Sequence, residues 1–381
     1  FLSALGPFSI DMYLPGFPAI ASDLKTDIAT VGLSLTAYFI GISAGQLFYG
    51  PIIDRFGRKK PLIFGLILYL IATIGCTLSP SIEVFIGMRL LTALGSCVGI
   101  VVGRAVVRDL FPVDEIAKVF SFLMLVMGIA PIIAPTIGGF AASALGWRYI
   151  FGLLIIISSM ILASVLFFLP ESKGPDASIS LKPKAIFSEY VKVLQNPIFF
   201  IYTMVGALAS AGMFAYISGS PFVFMKLFGL SESQYGILFG MNAMGFIGGS
   251  QLNRTALKYA SIKKVIFISG FMQLIASFCL LVGTIFGFIG PIGTFAFIFS
   301  YMLCLGFLNP NTPALALTPF TKNAGSASAM LGSLQMVLGA IASALVSAFQ
   351  NGTALPMVAV LFVCSVISCT LVLYSNFNKH T

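Results

Sequence analysis

The feature that constrains this chain most is a series of apolar blocks, each of ~20 residues, separated by short polar connections. Each block is long enough to cross ~30 Å of hydrocarbon as an α-helix. The blocks lack strict alternation of apolar and polar residues, which argues against a membrane β-barrel. Composition agrees: 58% of the residues are hydrophobic and 9% charged, against about 25% charged in a soluble domain. Such a chain cannot cover a water-facing surface, so a soluble globular protein is excluded. About twelve helices of ~20 residues use roughly 240 residues, and the rest of the 381 supplies connections and tails. No room remains for a soluble catalytic domain.

The pattern predicts an all-α polytopic membrane protein with twelve spans: Phe1 to Ala21, Val31 to Ile53, Pro61 to Leu78, Ile82 to Leu110, Ala117 to Leu145 and Trp147 to Leu169, then Pro197 to Leu227, Ser233 to Leu257, Ile262 to Phe286, Gly290 to Pro319, Ala324 to Phe349 and Ala354 to Asn376. The longest break in hydrophobicity, residues 170–196, divides a six-helix bundle (1–169) from a second one (197–381) and is expected to be a cytoplasmic linker. The chain opens at Phe1 within an apolar stretch and shows no cleavable signal peptide, so residues ahead of it are expected.

The net charge of +9 is a matter of topology. With the N-terminus in the cytoplasm, the inner connections carry sixteen cations: Arg55, Arg58, Lys59, Lys60, Arg108, Lys118, Lys173, Lys182, Lys184, Lys192, Arg254, Lys258, Lys263, Lys264, Lys322 and Lys379. The outer connections carry Lys25, Arg148 and Lys226. This positive-inside bias predicts both termini in the cytoplasm of a bacterial inner (plasma) membrane. Cations clustered this way do not form a nucleic-acid footprint, so the bilayer is the expected partner and nucleic acid is not. The six cysteines lie in apolar stretches without a CxxC pair and read as small packing residues. His380 is the single histidine, which excludes His-based catalysis or metal ligation in the core. No cofactor or metal is expected.

The connection between spans 2 and 3 reads Gly50-x-x-x-Asp54-Arg55-x-Gly57-Arg58-Lys59-Lys60. Gly50 is expected to let two helices approach closely and Gly57 to permit a tight turn. Asp54, at the inner end of span 2, needs a cation or a helix N-terminus. Arg58 can supply it, and Asp109, at the same depth, can join. A plain positive-inside anchor accounts for Lys59 and Lys60 but not for the Gly-Asp-Gly spacing, which favours a conformational latch. The same place in the second half reads Gly249-x-x-x-Asn253-Arg254, a degenerate copy. The first copy resembles the signature between helices 2 and 3 of the major facilitator superfamily. That resemblance implies two pseudo-symmetric halves of six helices.

Two charges inside spans are not explained by topology. Asp11 lies in Ser9-Ile10-Asp11-Met12-Tyr13-Leu14-Pro15, with Pro18 beyond. A carboxylate at this depth is costly and must be protonated, paired or open to a water-filled cavity. It is either a structural acid held by a cation or a group that exchanges protons with solvent. The prolines loosen the backbone beside it. In span 4, Arg89, Ser96 and Gly103 are spaced by seven and share a face. Arg89 lies in the outer half and is expected to approach Asp11. Arg104 lies nearer the inner face and either snorkels to the interface or lines a cavity. The second half offers Tyr216, Asn242, Asn309, Asn311 and Gln335. Tyr13, Tyr38, Tyr216 and Asn242 are cavity candidates, and Asn309-Pro310-Asn311 is expected to break span 10.

Span 5 contains Ala130-Pro131-Ile132-Ile133-Ala134-Pro135-Thr136-Ile137-Gly138-Gly139. Two prolines four apart remove two donors and favour a bend, and the small residues offer a flat face. This run resembles the antiporter motif of drug-exporting major facilitator proteins, with Ala130 and Ala134 in place of glycines. Together with Asp11-Met12-Tyr13-Leu14-Pro15 and Gly103-Arg104-Ala105-Val106-Val107-Arg108-Asp109, the chain resembles the bicyclomycin-resistance group of drug–proton antiporters along nearly its whole length. The resemblance implies Asp11 as the proton and substrate site, Arg89 as its partner, and Pro131, Pro135, Gly138 and Gly139 as the antiporter bend. It implies protons and small hydrophobic or cationic drugs as partners of a monomer. The alternative within the fold is an importer or facilitator of a sugar or metabolite. An enzyme or channel is disfavoured, because no nucleophile–base set, paired catalytic acids, metal cluster or repeated filter sequence is present.

Overall fold

A computed structural model describes residues 2–110, 113–176, 183–320 and 324–377. The side chains of Ser3, Arg104, Arg108, residues 113–128 and 183–186, Glu189, Ala324, Asn376 and Phe377 lie outside the described residues. The expectation for Arg104 falls there, as do the inner cations Arg108, Lys118, Lys182, Lys184, Lys322 and Lys379.

The described chain is helical, with no strand among the described residues. In a bilayer each backbone donor and acceptor must be satisfied within the protein, which a helix does locally. The helices are α1 (Leu5–Asp11), α2 (Phe17–Asp23), α3 (Ile28–Phe56), α4 (Lys59–Thr77), α5 (Ile82–Leu110), α6 (Val113–Leu145), α7 (Trp147–Phe168), α8 (Pro183–Leu194), α9 (Pro197–Ser220), α10 (Glu232–Ala256), α11 (Ile262–Ile285), α12 (Pro291–Ala316), α13 (Ala324–Ala348) and α14 (Leu355–Phe377). Among the described residues, nine helices are long and apolar enough to cross a membrane. The other three expected spans are the first, which is broken, the fifth, whose apolar described part is Ile129–Leu145, and α10, the polar eighth. Polar caps mark several helix starts: Asp27 accepts the Thr30 amide at 2.7 Å, and Ser231 and Gln234 form a reciprocal capping box. Large apolar side chains such as Phe64, Ile71, Met160 and Phe167 point outward, as a surface solvated by lipid requires.

Three spans depart from expectation: two expected to be simple helices are interrupted, and one expected to be broken is continuous. The first consists of α1, a 3₁₀ turn (Leu14–Gly16) and α2. The seventh ends in a π-helical turn (Pro221–Leu227), at a proline that cannot donate to the preceding turn. The tenth is not broken: α12 runs through Pro310 and Pro313. Within this turn Asn311 Nδ2 donates to the Phe307 carbonyl at 2.8 Å and Thr312 Oγ1 to that of Leu308 at 3.0 Å. The polar stretch 170–196 contains α8, whose Tyr190 and Val193 are buried.

The chain divides into two compact units, Phe1–Glu189 and Tyr190–Thr381. In the first, α3 and α4 pack on α5, α4 packs on α7 and α1 on α6. In the second, α10 and α11 pack on α12, α11 on α14 and α9 on α13. Span by span this is the same set of pairings, so the faint sequence repeat corresponds to a repeated packing scheme.

Close approach between α3 and α5 occurs at Gly41 and Gly45, not at Gly50. An added Cβ would stand 2.6 Å from Ala93 Cβ at Gly41 and 2.8 Å from Cys97 Cβ at Gly45, whereas at Gly50 it would meet nothing within 4 Å. Gly138 of α6 lies against the first-span break, where a Cβ would fall on the Met12 carbonyl oxygen. Gly138→Ala should therefore lower stability by about 1–3 kcal/mol, the usual cost of overpacking, while Gly50→Ala should not lower it. Thermal unfolding of both variants in detergent checks this, and equal behaviour of the two would contradict it.

Candidate functional site

The break in the first span follows from its prolines. Pro15 has no N–H for the turn before it, and Pro18 belongs to the first turn of α2. α1 therefore ends at Asp11 with open carbonyls in its last turn. Arg89 of α5 fills one of them: its Nη2 donates to the Ser9 carbonyl at 2.8 Å. The guanidinium, fully buried, lies over the rings of Tyr13 at 4.2 Å, Tyr38 at 4.4 Å and Phe151 at 5.9 Å. Desolvated cation–π contacts contribute about 2 kcal/mol or more, which offsets part of the cost of burying a charge. Both tyrosines are fixed, Tyr13 by Ser34 Oγ at 3.1 Å and Tyr38 by Ser96 Oγ at 2.8 Å.

Asp11 is 4% exposed, and among the described residues no hydrogen bond or ion pair reaches its carboxyl group. The expected approach of Arg89 to Asp11 is thus not made in this conformation. The open end of α1 offers Arg89 a carbonyl instead, and Tyr13 and Tyr38 offer it ring faces. Arg89 Nε and Nη1 have no hydrogen-bond partner among the described residues. Against the break stands α6, helical through Pro131 and Pro135, with Pro135, Gly138 and Gly139 buried. A cavity of about 290 Å³ between α1, α6 and α7 is lined by apolar residues, among them Phe8, one turn before Asp11. Ser9, Ser34 and Tyr69 were not singled out by sequence. Ser96 carried a signal, its spacing from Arg89.

At the end of this unit where α3 meets α4, α3 stops at Gly57, whose φ of 86° suits glycine. Arg58 then turns back. Its Nη1 donates to Asp54 Oδ1 at 2.5 Å and to the Ile53 carbonyl at 2.9 Å, and its Nε donates to Asp109 Oδ2 at 2.8 Å. Arg55 instead lies 6.0 Å from the Phe56 ring centroid. Glu171, which sequence reasoning missed, caps α4 by accepting the amides of Arg58 at 2.7 Å and Lys59 at 3.2 Å. Burial works against charge on Asp109, but the hydrogen bond and charge of Arg58, helped by Ser172 and Lys173, outweigh it and hold the carboxyl below its ordinary value.

The opposite end of the unit carries a second network. Arg148 bonds Asp23 and the Thr77 carbonyl and lies 4.4 Å from the Trp147 ring centroid, and Trp147 Nε1 donates to Asp23 at 3.2 Å. The second unit substitutes amides for charges. Asn242 Nδ2 donates to Tyr216 Oη at 3.0 Å, and Tyr216 stacks on Phe239 at 5.5 Å. Asn253, at the position matching Asp54, accepts from Asn311 Nδ2 at 2.7 Å. Among the described residues no cluster suited to a metal ion occurs.

These features agree with what the chain is similar to. The family model described as Major Facilitator Superfamily matches residues 1–344. The MFS-type transporter YdgK of Bacillus subtilis strain 168 is 37% identical over 377 residues, covering 96% of this chain and 91% of that protein. The bicyclomycin resistance protein homolog of Haemophilus influenzae is 29% identical, covering 96% and 92%. The multidrug resistance protein MdtL of Escherichia coli is 28% identical, covering 98% and 93%. A crystal structure of a D-xylose–proton symporter superposes with a TM-score of 0.75 at 16% identity, covering 96% of this chain and 95% of that one, which speaks for the fold.

The Arg58 network is open to test by substitution. Removing Arg58 as Arg58→Ala should cost about 1.5–3 kcal/mol, as for hydrogen bonds to charged groups. Because folding holds Asp109 below its ordinary value, its contribution is present above the unfolded value of about 3.9 and is lost as pH falls through the folded one. The stability gap between wild type and Asp109→Asn should hold from pH 7 to about pH 5 and close on further acidification. A gap that persists undiminished at pH 3 would contradict the ion pair as its source.

Proposed function

Because this chain belongs to the major facilitator superfamily, and is a multi-pass membrane transporter rather than an enzyme, we propose that it is a proton-coupled antiporter that exports drugs or other small amphipathic molecules by alternating access. The observation that carries this reading is the arrangement at the first-span break. A buried acid with no partner among the described residues, Asp11, shares one unit with a buried cation, Arg89, whose Nε and Nη1 have no hydrogen-bond partner among them. Protonated, Asp11 is neutral and tolerates its site. Deprotonated, it requires a cation, either Arg89 or a positively charged substrate. Proton and substrate then compete for one carboxyl group, and competition of this kind drives antiport. The names of the relatives from Haemophilus influenzae and Escherichia coli support drugs as the substrate class.

The other residues have parts in the same cycle. Within the first unit Tyr13 and Tyr38 are the candidates for aromatic contact with substrate, and within the second unit Tyr216 and Asn242 are the corresponding polar and aromatic candidates. The apolar cavity beside Phe8 suits the hydrophobic part of an amphipathic molecule. The network of Asp54, Arg58 and Asp109, with Gly50, Arg55 and Gly57 in its motif, is an inner latch that breaks and re-forms as the protein changes access. Pro131, Pro135, Gly138 and Gly139 shape the α6 surface against which the first-span break rests. The excess of cations on the inner connections supports cytoplasmic termini.

Asp11→Asn should abolish proton-driven uptake of lipophilic cations such as ethidium into inside-out vesicles while the protein remains folded in the membrane. Proton-driven transport of ethidium by this variant at the wild-type rate would sink the proposal.

A further inference from the structure

We infer that Tyr69 is a positioning residue for the coupling site, acting through Ser9 on the helical segment that carries Asp11; this rests on the assignment of Asp11 as the proton-exchanging group. Tyr69, in α4, is fully buried in a cluster formed by Leu5, Leu62, Leu66, Val98, Ile161 and Val165. A phenylalanine would fill that space equally well, and a hydroxyl buried there without a bond is destabilising. Its presence is explained by its partner: Tyr69 Oη lies 2.6 Å from Ser9 Oγ.

The direction of the chain of bonds follows from counting protons. Ser9 Oγ lies 2.7 Å from the Leu5 carbonyl, to which only the serine can donate. Its single proton is then used, so the Tyr69 hydroxyl donates to Ser9 Oγ. The carbonyl of the same serine accepts from Arg89. Ser9 is thus held by α4 through its side chain and by α5 through its backbone. It lies two residues before Asp11, in the last turn of α1. That helix has seven residues, too few to be stable alone, and the backbone beyond it is broken. Its placement depends on contacts of this kind. Arg89 is already part of the coupling pair, and Tyr69 is the second fixed point.

A positioning role predicts a loss confined to the proton-coupled step. Proton-driven uptake of ethidium into inside-out vesicles should fall at least fivefold in turnover for Tyr69→Phe, with KM unchanged. Ethidium–ethidium exchange without a proton gradient should stay within twofold of wild type. Ser9→Ala, which removes the bond to the Leu5 carbonyl as well, should lose at least as much driven uptake, and the double variant should be no worse than Ser9→Ala, because both already lack the Tyr69–Ser9 contact. Tyr202→Phe, which deletes a buried hydroxyl without a partner among the described residues, is the control and should leave both assays unchanged. Wild-type turnover in Tyr69→Phe, or equal losses of driven uptake and exchange accompanied by lower thermal stability, overturns the inference. Asp11→Asn run in parallel separates the two ideas: persistence of driven uptake in that variant overturns the assignment of Asp11, whereas its loss beside a wild-type Tyr69→Phe overturns only the role of Tyr69.

Discussion

The first unit is organised around the burial of one guanidinium. Arg89 cannot face lipid, and no carboxylate among the described residues pairs with it, so the fold must satisfy it by other means. The means are a backbone carbonyl and two aromatic faces, and each has a structural precondition. The carbonyl is open because α1 ends at Asp11, so that Ser9 lies in its last turn. The faces of Tyr13 and Tyr38 are presented because Ser34 and Ser96 hold their hydroxyls. The break is tolerated because α6 carries a glycine where the Met12 carbonyl protrudes. Sequence, local backbone and packing thus converge on the residue next to which a proton-exchanging acid is proposed to work.

Charged positions were legible in the sequence where topology fixes their depth. Asp54, Arg58 and Asp109 all lie at the inner ends of predicted spans, and the structure joins them. Rotation about a helix axis, and contacts from distant chain, were less legible. Arg89 is expected to approach the first span near Asp11, but hydropathy does not reveal that it turns to the Ser9 carbonyl rather than to the carboxylate. Glu171 caps α4 from more than a hundred residues away and has no local signal. Gly50 belongs to a motif read as a packing contact, yet α3 and α5 meet at Gly41 and Gly45, which no motif marks. Asn309-Pro310-Asn311 reads as a break by composition, but α12 runs through it, with the side chains of Asn311 and Thr312 bonded within the turn.

The two units share a pairing scheme but differ in electrostatics. Where the first uses Arg58 to tie Asp54 to α5, the second ties Asn253 of α10 to Asn311 of α12 by an amide–amide bond. Where the first buries Arg89 between tyrosines, the second buries an amide against Tyr216. Amides hold geometry without a charge to titrate, so the proposed proton chemistry falls to the first unit. The low charge content of the chain, which at first only marks it as membrane-embedded, thereby narrows the coupling site to very few groups.

The most direct measurement is proton release from the purified protein in a weakly buffered detergent solution when ethidium is added. If Asp11 exchanges its proton for substrate, wild type acidifies the solution and Asp11→Asn does not, although both remain folded. Equal acidification by the two proteins, or ethidium binding by wild type without any release, would contradict the account.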